Sequence, residues 1–276
     1  MNLAPEAAVP QPALAALLDE LESAKLKLRV GKVSDPPESP GLPDIRIEPL
    51  CIPPRSPLLP FDSFREKAAE QYRIARTRIA RHPAHPSLLS VSSAGPGDGK
   101  TVTAINLAAS LSLNPANCVL LADADFRRWR ELEKEQRSIH RQLGLAPAAG
   151  LGELLEDRTA LKEALIRAEQ FPNLYILPAG NPVRNSAELL DSRGWSDLVI
   201  ELRQWFRYIV VDSPPVAALA DFEPILAVSD GTILVFRPDH TRRSLAAQAL
   251  RAIPKDKLIG VVMNYVPKWF LANWRA

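Results

Sequence analysis

Cysteine is nearly absent from this sequence, Cys51 and Cys118 being its only two. One stands in a proline-rich stretch and the other at the start of an apolar run, which argues against a disulfide framework and suits a reducing compartment. Long apolar runs are missing as well. None approaches the eighteen or so residues needed to span a bilayer, and the first twenty residues lack the basic start of a secretion signal. The formal net charge is only +2 and no lysine or arginine run has the footprint of a nucleic-acid surface, so nucleic acid is not an expected partner. With 46% apolar and 24% charged residues over 276 positions, the chain has material for a sizeable core, in one large domain or two small ones.

The chemistry starts at residues 90–108, where a short apolar run breaks into a glycine-rich loop and then into helix-forming sequence. Ala94, Gly95, Pro96, Gly97, Asp98, Gly99, Lys100 and Thr101 fit the phosphate-loop pattern, with alanine where the common form begins with glycine. Gly97 and Gly99 let backbone N–H groups turn toward phosphate oxygens, and the helix beginning near Lys100 adds its positive end. Lys100 then reaches the terminal phosphates, and the Thr101 hydroxyl is placed for Mg²⁺. Gly95, Pro96, Gly97, Asp98, Gly99, Lys100, Thr101 and Val102 are therefore the expected nucleotide-binding residues.

Two later strands deliver acids to the same end of a sheet. Residues 117–122 form a buried apolar run that ends in Asp123 and Asp125, and residues 208–211 form another that ends in Asp212. Acids at the carboxyl ends of strands sit where open α/β sheets bind ligands. Asp212 matches the strand that serves Mg²⁺ in phosphoryl-transfer proteins, while Asp123 faces the metal or the attacking hydroxyl and Asp125 supports the loop. The expected metal set is Thr101, Asp123 and Asp212; the catalytic set is Lys100, Asp123, Asp125 and Asp212. Further apolar runs at 174–178, 232–236 and 258–264 alternate with helical stretches around 160–168, 195–205, 222–227 and 242–252. That alternation predicts an α/β fold with three αβα layers and a mostly parallel central sheet.

Upstream, residues 12–30 carry Leu14, Leu17, Leu18 and Leu21 at helical spacing. Residues 31–60 hold nine prolines and few regular apolar positions, which predicts an extended linker. Residues 1–60 are thus expected to be a short helix and a largely disordered linker, with the folded domain over 61–276. Within it, 62–81 reads as a helix opened by a Ser63 and Glu66 capping box. Glu70, Arg73 and Arg76 make a slanting stripe on that helix, able to meet a second copy. Trp129 and His140 read as packing or surface residues.

Taken together, these motifs resemble the bacterial tyrosine kinases of polysaccharide synthesis over about residues 61–266. The matching segments are PGDGKT at 96–101, LLADADFRR at 120–128, VVDSPPV at 210–216, LPAGNPVRNSAELLDS at 177–192 and GVVMNYV at 260–266. The resemblance implies ATP and Mg²⁺ as cofactors and transfer of the γ-phosphate to protein tyrosines, in regulation of exopolysaccharide or capsule synthesis and chain length. It places Asn264 at the adenine and reads EQYRIAR, residues 70–76, as an oligomerisation motif. It also implies a homo-oligomer and activation by the cytoplasmic tail of a membrane chain-length regulator, hence a cytoplasmic protein held at the inner face of the membrane. Two alternatives stand beside this reading. One is a partition or septum-placement ATPase, whose relatives usually carry lysine five positions before Lys100, where this chain has Gly95. The other is an ATP-binding regulatory module without kinase activity.

The chain departs from the family at its end, where no tyrosine cluster stands and Trp269, Phe270 and Trp274 occur instead, and at Trp129, where proline is common. Tyr72, Tyr175, Tyr208 and Tyr265 are the only tyrosines. Tyr72, Tyr208 and Tyr265 lie in or beside expected helices and strands, out of reach of a neighbouring active site, so little autophosphorylation is expected.

Overall fold

Apolar runs too long and too uniform for one solvated face must be covered on both sides, and the chain folds accordingly. The computed structural model describes residues 45–51, 58, 66–126, 138–146, 148–183, 185–217 and 219–266. All fall within a compact unit, Asp35–Ala276; a second unit, Met1–Ser34, lies outside the described residues. Among the described residues the strands are β1 (Arg46–Glu48), β2 (Leu88–Ser93), β3 (Val119–Asp123), β4 (Ile166–Ala168), β5 (Leu174–Leu177), β6 (Tyr208–Asp212), β7 (Gly231–Phe236) and β8 (Leu258–Met263). They form one sheet in the order β1-β4-β5-β3-β6-β2-β7-β8. Every neighbouring pair is parallel except β4 with β5.

Helices lie along the sheet: α1 (Glu66–Ala80), α2 (Lys100–Ser112), α3 (Ile139–Leu143), α4 (Leu151–Leu155), α5 (Leu161–Ala164), α6 (Ser186–Leu190), α7 (Arg193–Trp205), α8 (Leu219–Val228) and α9 (Arg243–Ala252). Helix α2 is buried along nearly its whole length, with Ile105, Ala108 and Leu111 in the same core cluster as Val91, Leu121 and Val210. A second cluster holds Leu120, Ile209 and Val211 with Trp195, Val199 and Leu202 of α7. Successive residues of β3 and β6 thus feed opposite clusters, so helices cover both faces of the sheet, as the fold-class expectation requires.

Two elements differ from the sequence reading. Residues 31–60 were expected to be extended linker, yet Arg46–Glu48 pairs with β4 as an edge strand, and Leu50 and Leu58 are buried. Three residues with one apolar member have no periodicity to detect; the pairing partner makes them a strand. The helical stretch expected around 160–168 stops after Ala164, and Ile166–Ala168 becomes β4. Leu165 and Ile166 are fully buried, and the backbone groups of Ile166 and Arg167 pair with those of Ile176 and Tyr175, so burial in the sheet overrides local helix preference. The readings of 12–30, the capping box at Ser63 and Glu66, Trp129 and the Trp269, Phe270 and Trp274 tail lie outside the described residues or side chains. His140 is buried in α3.

Candidate active site

The site is set by where the sheet puts its carboxyl ends. Strand β2 lies between β6 and β7 and runs directly into the loop at 94–99, which ends at the first residue of α2. Gly99 caps α2 at φ 99°, and a Cβ there would lie 1.8 Å from Asn264 Nδ2. Glycine is required at that position twice over, by its backbone conformation and by the close approach of a side chain from the end of β8. No side chain caps the helix. The first N–H groups of α2 are therefore left to whatever ligand the loop takes.

Lys100 is buried, and its Nζ lies 2.5 Å from Asp125 Oδ2 and 3.5 Å from Asp212 Oδ1. The three groups come from three elements. Asp123 and Asp212 are register partners on adjacent parallel strands, and Ala124 N–H donates to the Asp212 carbonyl at 2.9 Å. Asp123 is turned differently from Asp125. Its Oδ1 accepts the Asp125 N–H at 3.2 Å, and its Oδ2 accepts the Ile139 N–H at 3.1 Å, at the first residue of α3. The two acids spaced by one residue serve opposite sides, one the lysine and the other the backbone that closes the site. Thr101 is buried in the first turn of α2, and Val102 is half-buried against the core.

The donor set suits Mg²⁺. Among the described residues no group of three His, Cys, Asp or Glu side chains could cage a metal by itself. Mg²⁺ prefers one or two carboxylates completed by water and substrate phosphates. Asp212, Asp123 and the Thr101 hydroxyl supply hard oxygen donors beside a loop built for phosphate, and the residues fit the metal.

Asn264, expected at the adenine, donates from its Nδ2 to the Asp98 carbonyl at 3.0 Å. Next to it, Tyr265 is 59% exposed at φ 53°, with the Arg237 guanidinium 4.6 Å from its ring centroid. The expectation that Tyr265 is out of reach is thereby corrected, because β8 ends at Met263 and leaves Tyr265 exposed beyond it. Tyr72 and Tyr208 behave as expected, the first half-buried and the second buried, and Tyr175 is buried as well. Burial raises the Tyr72 hydroxyl pKa against hydrogen bonds with Asn106 and Thr103, which tie its ring to α2.

The stripe on α1 splits in two. Arg73 pairs with Glu70 on the exposed face at 2.6 Å, whereas Arg76 donates to the Ser110 carbonyl in the last turn of α2 at 3.0 Å. The segment after β5 carries another arrangement missed by the sequence reading. Buried Glu153 accepts N–H groups from Gly150 and Asn181 and the Asn181 side chain at 2.7–3.0 Å. Burial raises its pKa, yet those donors outweigh the effect and hold the carboxyl below its ordinary range. Gly180 sits at φ 85°, where a Cβ would lie 1.9 Å from Glu153 Oε2. The PAGN segment at 178–181 is thus a turn folded around one carboxylate. Arg237, His240 and Thr241, which touch the phosphate loop or its flank, were also missed; the signal was a polar run directly after a buried parallel strand.

A phosphate loop at the centre of a parallel sheet, with a buried lysine between strand-end acids, defines a P-loop nucleotide-binding protein. No protein-family model matches the chain. It is 34% identical over 200 residues to tyrosine-protein kinase YwqD of Bacillus subtilis strain 168, covering 71% of this chain and 80% of that protein. It is 30% identical over 210 residues to the succinoglycan biosynthesis transport protein ExoP of Rhizobium meliloti strain 1021, covering 74% of this chain and 25% of that protein. The solved kinase domain of VpsO is similar with a TM-score of 0.64 at 29% identity, over 74% of this chain and 97% of that domain. The chain belongs to the bacterial tyrosine kinase family, as the sequence resemblance indicated.

Proposed function

We propose that this chain transfers the γ-phosphoryl group of MgATP to tyrosine hydroxyls of proteins in exopolysaccharide or capsule synthesis. The observation that carries the reading is the position of Lys100, buried at the amino end of α2 between Asp125 and Asp212. Gly95, Pro96, Gly97, Asp98, Gly99 and Val102 shape the loop, whose amides and Lys100 offset charge that builds on the transferring group. Thr101, Asp123 and Asp212 would hold Mg²⁺, which when bound neutralises phosphate charge and orients the leaving oxygen. Asp123, whose carboxylate accepts the Asp125 and Ile139 amides at the carboxyl end of β3, is the proposed acceptor of the tyrosine proton or orders the metal. Asp125 holds Lys100 in line with the loop. Asn264, which supports the loop through the Asp98 carbonyl, is the proposed contact to the base.

Glu70, Arg73 and Arg76 are the proposed contact with a second copy. The proposed partner is the cytoplasmic tail of a membrane polysaccharide regulator, a reading supported by the likeness to ExoP, a succinoglycan biosynthesis transport protein. Among the described residues no helix is long and apolar enough to cross a membrane; the proposed position is the inner membrane face, through that partner. The test is incubation of the purified chain with labelled ATP and Mg²⁺, with and without candidate partner tails, followed by phosphotyrosine mass spectrometry. Label on protein tyrosines that depends on Lys100 is the expected result. ATP binding with no phosphotyrosine on any protein would replace the kinase with a regulatory module.

A further inference from the structure

The loop between β7 and α9 is braced against the phosphate loop through side chains that the sequence reading assigned no role. Asp98 is buried, and both its carboxylate oxygens are engaged within this arrangement: Oδ2 accepts the Gly95 N–H at 3.1 Å and Oδ1 accepts the Thr241 hydroxyl at 2.7 Å. Thr241 has a single proton to give. Its oxygen accepts the Arg237 N–H at 2.9 Å, so the proton is committed to Asp98. From the same side the His240 ring meets the Pro96 carbonyl at 3.1 Å, and Asn264 donates to the Asp98 carbonyl at 3.0 Å. In a planar trans peptide the C=O and the following N–H point in opposite directions. Drawing the Pro96 and Asp98 carbonyls toward β7 and β8 therefore aims the Gly97 and Gly99 N–H groups the other way, as an anion cradle requires.

A carboxylate inside a phosphate-binding loop is a hazard. Pointed into the cradle, Asp98 would repel the polyphosphate; pointed at Thr241, it serves as a brace for Gly95. We propose that Thr241 is a positioning residue for nucleotide binding, holding the Asp98 carboxylate out of the cradle so that the loop amides stay aimed at the phosphates. The proposal rests on the reading of this loop as the ATP site and adds a residue from outside the motif.

The experiment compares Thr241→Val, which keeps the shape but has no proton to donate, with Thr241→Ser, which keeps the hydroxyl. Calorimetry on the full chain, well below its melting temperature, measures MgATP and MgADP affinity. Amide hydrogen exchange on the nucleotide-free protein follows Gly95, whose N–H is bonded to Asp98. The valine variant is expected to bind about tenfold more weakly, in keeping with loss of a hydrogen bond to a charged group, with faster exchange at Gly95 and the loss in turnover falling on KM for ATP. The serine variant should recover most of the affinity. In an Asp98→Asn background the valine effect should shrink, since no charge remains to be held back. Unchanged affinity and exchange in Thr241→Val, or a lowered melting temperature with affinity intact, would overturn the positioning role, as would equal losses in the serine and valine variants. Wild-type protein that binds neither MgATP nor MgADP would remove the reading of the loop itself, and this proposal with it.

Discussion

Lys100 gains its place from charge on both sides. A buried ammonium is tolerated only when paired, and here Asp125 and Asp212 together supply that pairing. Replacing it should stop the chemistry without undoing the sheet. Lys100→Met is expected to abolish phosphoryl transfer while circular dichroism stays that of the wild type; residual turnover within tenfold of wild type would remove the lysine from its role. The acids separate by what else they hold. Asp123→Asn and Asp212→Asn should each slow transfer by orders of magnitude at saturating Mg²⁺, because both remove charge beside the metal donors. Asp123→Asn should also lower the melting temperature measurably, since its carboxylate accepts the Asp125 and Ile139 amides. Equal rates in the wild type and these two variants would strip both acids of catalytic duty.

At the scale of elements, the end of the sheet opposite the site is tied by one carboxylate. Asp230, just before β7, takes both arms of the Arg203 fork from the last turn of α7 at 2.8 Å and the Ser87 and Leu88 amides at 2.8 and 2.7 Å. Burial pushes its pKa up, but the Arg203 hydrogen bonds, the Leu88 and Ser87 amides and the Arg203 charge together bring it down to about 2, from an ordinary 3.8. A folded pKa below the unfolded one means stability present above about pH 4 and lost as pH falls through 2. The contribution is on the order of 2 kcal/mol. Melting curves between pH 5 and 2 should show that loss, and in Arg203→Ala the slope over this window should flatten while stability at neutral pH drops. A parallel decline in both proteins would place the acid sensitivity elsewhere.

For the whole molecule the open question is assembly and where phosphate goes. The Glu70 to Arg73 pair is exposed and worth little to the fold, whereas Arg76 ties α1 to the carboxyl end of α2. Arg73→Ala is therefore the cleaner probe of a second copy. Light scattering should report a smaller assembly for Arg73→Ala, and monomers when Arg73→Ala is combined with Arg76→Ala, with the melting temperature of the single variant unchanged. Wild-type mass in both variants would dismiss the stripe as an interface. Autophosphorylation should be slight, with Tyr265 as the one exposed acceptor, checked by mass spectrometry after incubation with ATP. Heavy label on Tyr72, Tyr175 or Tyr208 would contradict the burial that protects them.

Spacing along the chain determined the phosphate loop, the acid-bearing strands β3 and β6, and the parallel sheet, because each is a local pattern: glycines before a lysine, apolar runs ending in carboxylates, strands alternating with helices. The kinase resemblance rested on those same patterns and on PAGN and GVVMN, and the family followed. What neighbours decide was not legible there. Arg46–Glu48 is a strand only because β4 offers it backbone partners, and Ile166–Ala168 left helical preference for the same reason. Asp125 rather than Asp123 meets the lysine because the chain turns after β3 and Ile139 claims the other acid. Thr241 lies 143 positions from Asp98, yet the adjacency of β2 and β7 brings the β7 loop against the phosphate loop. Hydrogen bonds made across such distances depend on strand order, which no local run of residues encodes.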